Sequence, residues 1–277
     1  MMNAYPFLQV IIGFILACII AWLSYRIHLL SRSGALGALI LGTVIFGLGG
    51  LSWAILLMGF FISSSGLSKL LSHQKSAVNE KYAKGSTRDM GQVFANGGVA
   101  GLFVILHLFF PTEAFPWMAF AGTLAAVNAD TWATELGVFS KSSPIHMITG
   151  KKVEKGTSGG ISIEGTLAAL LGSLLIGALA IFFWPGSITP LKETNWLLQI
   201  FTIGLAGVFG SLVDSFLGAT FQKIYYCPVC KKETERFPIH ICGSNTEYLR
   251  GWHWLNNDWV NVICGLAGGL MMLLATL

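Results

Sequence analysis

Long uncharged stretches separated by short charged ones dominate the chain. Residues 7–25, 33–68, 90–112, 114–129, 165–191, 194–213 and 259–277 contain no Asp, Glu, Lys or Arg. A membrane-spanning helix needs about 20 apolar residues, so most of these stretches predict one crossing each. The 33–68 stretch is too long for one crossing, and Gly47, Gly49 and Gly50 lie midway, where a helix breaks most easily. It predicts a tight pair of short spans, making eight in all; a re-entrant pair, leaving seven, is the alternative. The first stretch has no basic segment before it and predicts a retained anchor rather than a cleaved signal. The expected fold is all-α: a polytopic transmembrane helix bundle, with residues 1–277 as a single membrane domain and 223–257 as a Cys-rich loop outside the bilayer.

Composition strengthens this reading. Hydrophobic residues make up 54% of the chain and charged residues 11%, and mean hydropathy is +0.68, outside the range of soluble domains. With eight spans, Arg26, Arg32, the basic residues from Lys69 to Arg88, those from Lys141 to Lys155 and those from Lys223 to Arg250 fall on one side; only Lys192 falls on the other. The positive-inside rule makes the first side cytosolic and puts both termini outside. In a bacterium this predicts a multi-pass protein of the inner (plasma) membrane. Topology thus accounts for the net charge of +4, and no nucleic-acid partner is implied.

Four carboxylates, Asp130, Glu135, Glu164 and Asp214, interrupt the apolar segments or end them, all in their cytosolic halves. An ionised group at the bilayer centre costs roughly 2.5–3.5 kcal/mol on insertion scales, so it persists where it binds something or lines a wet cavity. The numerous small residues, such as Gly34, Ala38 and Gly42 or Gly204, Gly207 and Gly210, are read instead as contacts between close-packed helices. There is no internal repeat of the kind that marks many transporters.

Chemistry gathers in four places. In Lys84–Gly98, Arg88, Gln92 and Asn96 recur at helical spacing, with Arg88 at the water and Asn96 deeper in the membrane; an interfacial anchor and an interhelical hydrogen bond are the structural alternatives. In Val127–Gly137, Asn128, Thr131 and Glu135 share a helix face while Asp130 points nearly the opposite way, so both faces reach one ligand only if the helix is broken or closely surrounded. In Gly150–Thr166, a basic, glycine- and hydroxyl-rich loop holding Lys151, Lys152, Gly156, Thr157, Ser158, Gly159, Gly160 and Ser162 opens into a helix at Glu164. Converging backbone N–H groups at a helix N-terminus favour phosphate, although the loop is not a Walker sequence. Glu164 also suits the positive end of that helix as a dipole charge. In Gly207–Gln222, Gly207, Ser211, Asp214, Gly218 and Gln222 form one small and polar stripe that must face the bundle interior. Asp214 could there meet Asp130 across a divalent cation, since paired carboxylates need a proton or metal between them, and Mg²⁺ is commonly held by one or two carboxylates plus substrate phosphates.

The ordered blocks Lys84-Gly-x-x-Arg88-Asp-x-x-Gln-Val-x-Ala-Asn96-Gly, Asn128-Ala-Asp130-Thr-x-Ala-x-Glu135-x-Gly, Gly156-Thr-x-Gly-x-x-Ser162-x-x-Gly-Thr, Asp214-Ser-x-Leu-Gly-Ala-Thr-x-Gln222 and Asn256-Asn257-Asp258-x-Val-Asn261 resemble an integral-membrane family, domain of unknown function 92, that includes plant phytyl-phosphate kinase. The resemblance covers the chain from about Ser33 onward. Asp130–Ala133 and Lys151–Gly160 are also similar to motifs of CTP-dependent dolichol and phytol kinases. The resemblance implies phosphoryl transfer from a nucleoside triphosphate, with CTP favoured, to an isoprenoid lipid monophosphate held in membrane lipid. Asp130 and Asp214 are then assigned to Mg²⁺, with Glu135 and Asn128 beside them; Arg88, Lys151, Lys152 and the Gly156–Gly160 loop to phosphates; and Asn96, Gln222, Asn257, Asp258 and Asn261 to the edge of the site. Asn256–Asp258 is otherwise read as a cap on the last helix. A phosphate monoester is already a competent nucleophile at neutral pH, so no strong general base is required. A lipid-alcohol kinase and a lipid or ion transporter are the alternatives.

Cys227, Cys230, His240 and Cys242 depart from the plant pattern. A Cys-x-x-Cys turn with later Cys and His, in a reducing compartment, predicts a structural zinc knuckle rather than a disulfide. Unliganded thiols are the alternative, because His240 and Cys242 are closer in sequence than zinc ligands usually are. Cys18 and Cys264 lie within spans as packing residues.

Overall fold

A computed structural model describes residues 6–72, 80–190 and 195–277. Lys75, one of the basic residues between Lys69 and Arg88, and Lys192 lie outside the described residues. Among the described residues the chain forms a bundle of eight long helical segments: α1 (Pro6–Arg26), α2 (Arg32–Val44, extended by a π-helical turn at Ile45–Gly49), α3 (Leu51–Leu71), α4 (Met90–Phe109), α5 (Phe115–Gly137), α6 (Ile163–Phe182), α7 (Trp196–Thr220) and α8 (Asn257–Thr276). All but α5 are long and apolar enough to cross a membrane. The break expected in the 33–68 stretch falls at Gly50, whose φ of 83° is a left-handed conformation that only glycine adopts without strain.

The helix α5 is the exception because it is the axis of the bundle. Every residue from Pro116 to Ala129 is buried, packed by α3, α4, α6, α7 and α8. A helix hydrophobic all round, or one carrying polar groups, is tolerated there because protein and not lipid surrounds it. Close approach is made by the small residues. A methyl group at Gly210 would overlap Ala126 Cβ and stand 2.7 Å from the Cys264 carbonyl oxygen, so α7 meets α5 and α8 with no room for a side chain. Toward the first residues of α5 the core is aromatic, with Trp53 4.8 Å from Phe120 and 5.0 Å from Trp117, centroid to centroid.

Helix starts carry their own signals. Asp89 and Gln92 form a capping box on α4; Ser162, Asn195 and Asn256 accept from the first turns of α6, α7 and α8. The capping expected of Asn256 is thus observed. Short strands lie outside the bundle. β1 (Ile145–His146) pairs with β2 (Gly160–Ile161). The Cys-rich segment adds to the helical fold a small antiparallel sheet of order β4-β3-β5, from β3 (Ile224–Cys227), β4 (Lys232–Thr234) and β5 (Glu247–Arg250). Ile224-Tyr-Tyr has the β-branched and aromatic side chains that suit a pleated surface.

Candidate active site at one end of the bundle

Helices α4, α6 and α8 begin, and α3, α5 and α7 end, around a cavity of about 350 Å³. Three helix N-termini therefore open toward it, and each favours negative charge in its vicinity. Asp130 and Glu135 enter from α5, Asp214 from α7 and Asp258 from α8; Glu235 comes from the segment after β4. The cations of the lining are Lys84, Arg88, Lys155 and Lys223.

Asp130 and Asp214 line this one cavity from neighbouring helices. Asp214 Oδ2 is buried without a hydrogen-bond partner among the described residues, as is Asp258 Oδ1. A buried carboxylate oxygen left unpaired is costly, and a cation is the partner that suits it. Glu135 accepts from Ser68 Oγ at 2.9 Å. The helix carrying Asp130 and Glu135 is unbroken, and Asp130, Thr131 and Glu135 all line the same cavity.

Arg88 is 8% exposed. Its backbone bridges Leu29 and Ser31, Nη2 donates to Ser64 Oγ at 2.9 Å, and the guanidinium lies 5.2 Å from the Phe60 ring centroid. It stands where the polar cavity adjoins a second, apolar groove of about 60 Å³ between α1, α2, α3 and α4, walled by Ala17, Leu41, Phe46, Leu57, Phe60 and Phe61. Arg88 and Asn96 line both spaces.

The glycine loop adopts the geometry its composition permits. Gly156 and Gly159 have φ of 75° and 78°, and a Cβ at Gly159 would overlap Ala219 at the end of α7. All five residues from Gly156 to Gly160 line the cavity, with Ser162, Gln222, Asn257, Asp258 and Asn261. Lys81 ties the loop to the segment before α4, donating to Glu154 at 3.0 Å and to Thr157 Oγ1 at 3.4 Å.

Three groups of residues assigned from sequence lie elsewhere. Lys151 and Lys152 are exposed in the segment between β1 and β2, outside the lining, with Lys152 bridging Ile145; the lysine of this loop at the cavity is Lys155, which also donates to the Ser140 carbonyl at 2.7 Å. Asn128 is fully buried between helices, accepting from Ser63 and donating to the Gly172 carbonyl at 2.8 Å. Glu164 turns toward Ser140, whose Oγ donates to it at 2.8 Å.

Lys84 and Glu235 had no assigned role. Lys84 pairs with Asp258 and, at 3.0 Å, with Asp89. Burial alone would lower its pKa, but these two acids outweigh burial and hold it above the ordinary lysine value. Glu235 accepts from Gln222 Nε2 at 2.9 Å; burial raises its pKa against the opposing effect of its hydrogen bonds with Ala83 and Gln222. Lys84 was visible only as the first residue of a block, because its partner is distant in sequence. No signal marked Glu235.

The chain matches the family described as integral membrane protein DUF92 over residues 15–269 and belongs to it. It is 31% identical to Protein PGR of Arabidopsis thaliana over 277 residues, covering 95% of this chain and 94% of that protein. It is 30% identical to an uncharacterized membrane protein of Methanocaldococcus jannaschii over 267 residues, 95% of this chain and 93% of the relative. Protein VTE6, chloroplastic, of Arabidopsis thaliana is 27% identical over 249 residues, 88% of this chain and 65% of that protein. No solved structure matches.

Proposed function

We propose that this DUF92 membrane protein is a prenyl-monophosphate kinase, transferring the terminal phosphoryl group of CTP or another nucleoside triphosphate to an isoprenoid monophosphate. The observation that carries the reading is the junction at Arg88 and Asn96, where an acid- and cation-lined cavity meets an apolar groove. An amphiphile with an anionic head and a hydrocarbon tail fits both sides of such a junction. In the reaction a phosphate oxygen of the acceptor attacks the donor's terminal phosphorus. The bond from that phosphorus to the bridging oxygen breaks, leaving a prenyl diphosphate and a nucleoside diphosphate.

Within this reading Arg88 orients the acceptor phosphate, and Lys84, Lys155 and the Gly156–Gly160 backbone hold the donor phosphates. Asp130 and Asp214 would hold Mg²⁺, a fit supported by the unpaired Asp214 Oδ2. A metal held by these carboxylates would supply neutralisation of donor phosphate charge; phosphoryl transfer is chiefly such positioning and charge stabilisation. The acceptor needs no general base, and the carboxylates are free for electrostatic work. The positive-inside rule supports a cytosolic orientation for this end of the bundle, the side on which nucleotides are available.

A transporter reading gains less support. Beyond Asp130 the axial helix is buried on all sides from Pro116 to Ala129, and the Trp53, Trp117 and Phe120 cluster fills the far half. The test is substitution of the metal-holding acids. Asp130→Asn and Asp214→Asn proteins should insert and fold, with thermal stability equal to or above the parent because an unliganded buried charge has been removed, yet lose nearly all turnover. Parental rates in both variants would remove the basis of the assignment.

A further inference from the structure

The Cys-rich segment brings four donors together. Cys227 Sγ is 3.6 Å from Cys242 Sγ, Cys230 Sγ 3.6 Å from His240 Nδ1, and His240 Nδ1 3.3 Å from Cys242 Sγ. All four ligand atoms lie within 4.8 Å of one another. A disulfide would bring two sulfurs to about 2.05 Å. Tetrahedral zinc with bonds of about 2.3 Å to sulfur and about 2.0 Å to nitrogen gives edges of about 3.8 Å and about 3.5 Å, close to the observed spacing. The local backbone is shaped for the purpose. The Cys230 amide donates to Cys227 Sγ at 3.4 Å, and each pair of ligands is followed by a left-handed residue, Lys231 at φ 53° and Gly243 at φ 84°. His240 and Cys242 converge despite their short separation because the chain turns back there, the Gly243 amide donating to the His240 carbonyl at 2.9 Å.

The segment is also fastened to the cavity wall. Thr234 Oγ1 and the Glu235 amide both donate to the Lys81 carbonyl, at 3.1 and 2.8 Å. Arg236 Nε donates to the Glu80 carbonyl at 3.2 Å, and Glu235 accepts from the Ala83 amide at 3.4 Å. Glu235, Ala83 and Lys84 then line the cavity.

We propose that Cys227, Cys230, His240 and Cys242 bind one structural zinc ion, and that this ion holds the Glu80–Lys84 segment in place as one wall of the cavity. Metal binding to such a cluster is folding energy for the small sheet around it, and the sheet supplies the hydrogen bonds that fix the wall. The inference is independent of the kinase reading, because it is read on the purified protein without substrate.

Full-length protein purified in detergent should contain about one zinc per chain. Protein from cells grown in cobalt-containing medium should show the visible d–d bands and the thiolate-to-cobalt charge-transfer band of a tetrahedral centre. A Cys227→Ser, Cys230→Ser double variant should lose the metal, while Cys18→Ser should keep it. Stripping the metal with a chelator should make Lys81 and Lys84 sites of rapid tryptic cleavage, identified by fragment mass. Wild-type protein with neither zinc nor a cobalt spectrum would overturn the site, even if the double variant fails to accumulate. Tryptic cleavage unchanged by metal removal would overturn the link to the cavity wall.

Discussion

Replacing Arg88 with lysine separates substrate binding from scaffolding at the junction of the two cavities. The guanidinium is 8% exposed, donates to Ser64 and lies over Phe60. Lysine keeps the charge but not the planar fork, so it serves either Ser64 or a phosphate and not both. A hydrogen bond to a charged group contributes about 1.5–3 kcal/mol, which corresponds to roughly a 10- to 150-fold change in an equilibrium constant. Under the proposed function, the Arg88→Lys protein should therefore show a KM for the prenyl monophosphate raised about 10- to 150-fold, with a smaller effect on kcat. Ser64→Ala removes only the scaffold partner. It should lower thermal stability by about 1.5–3 kcal/mol, the same range because the lost bond is to a buried charged group, and leave KM within a few-fold of the parent. Steady-state kinetics in mixed micelles with varied acceptor, beside thermal unfolding of the same preparations, reads both quantities. An unchanged KM in Arg88→Lys, or an equal rise in Ser64→Ala, would refute a phosphate-binding role for Arg88.

Other consequences are direct. Glu235 has its pKa raised in the folded protein, so folding penalises its charged form. Relative to a Glu235→Gln variant, the parent should match in melting temperature below the unfolded carboxylate pKa of about 4.5 and lose ground as pH rises through the raised folded value; parallel curves across that range would show that the carboxyl is not buried in this way. Gly210→Leu, set against Ala126 and Cys264, should destabilise the bundle by about 1–3 kcal/mol or abolish accumulation, and a normal melting temperature would contradict the close α5–α7 contact. Single cysteines introduced near Ser142 and Lys232 should be protected from impermeant thiol reagents in intact cells, and one near Ser187 should react; labelling at the first two positions would reverse the assigned orientation.

The bundle was legible in the sequence because apolar length and glycine placement are local signals: the uncharged 33–68 stretch, with its glycines, gave the α2–α3 break at Gly50. The carboxylates of α5 and α7 were legible for a related reason, since charge is rare in apolar helices. Which side chains share a space was less so. Asn128 has the same composition signal as Asp130, yet two residues of helical rotation direct it to Ser63 and Gly172. Lys151 and Lys152 belong to the basic loop, but a turn at 147–150 folds them back beside β1, where Lys152 bridges Ile145 and both stay exposed, and Lys155 is the lysine left at the cavity. The Lys84–Asp258 pair and the contact between Glu235 and the Glu80–Lys84 segment join distant parts of the chain. No sequence periodicity reports such pairings. The small sheet at Ile224–Arg250 was hidden because its strands are too short for an alternation to stand out.

The most direct test of the central claim is a product assay on purified protein with Mg²⁺, each nucleoside triphosphate in turn, and matched panels of prenyl alcohols and prenyl monophosphates, read by product mass. The account predicts prenyl diphosphates from the monophosphates, with CTP among the effective donors and the alcohols reacting slowly or not at all. Faster phosphorylation of the alcohols, or no transfer to any lipid, would contradict it.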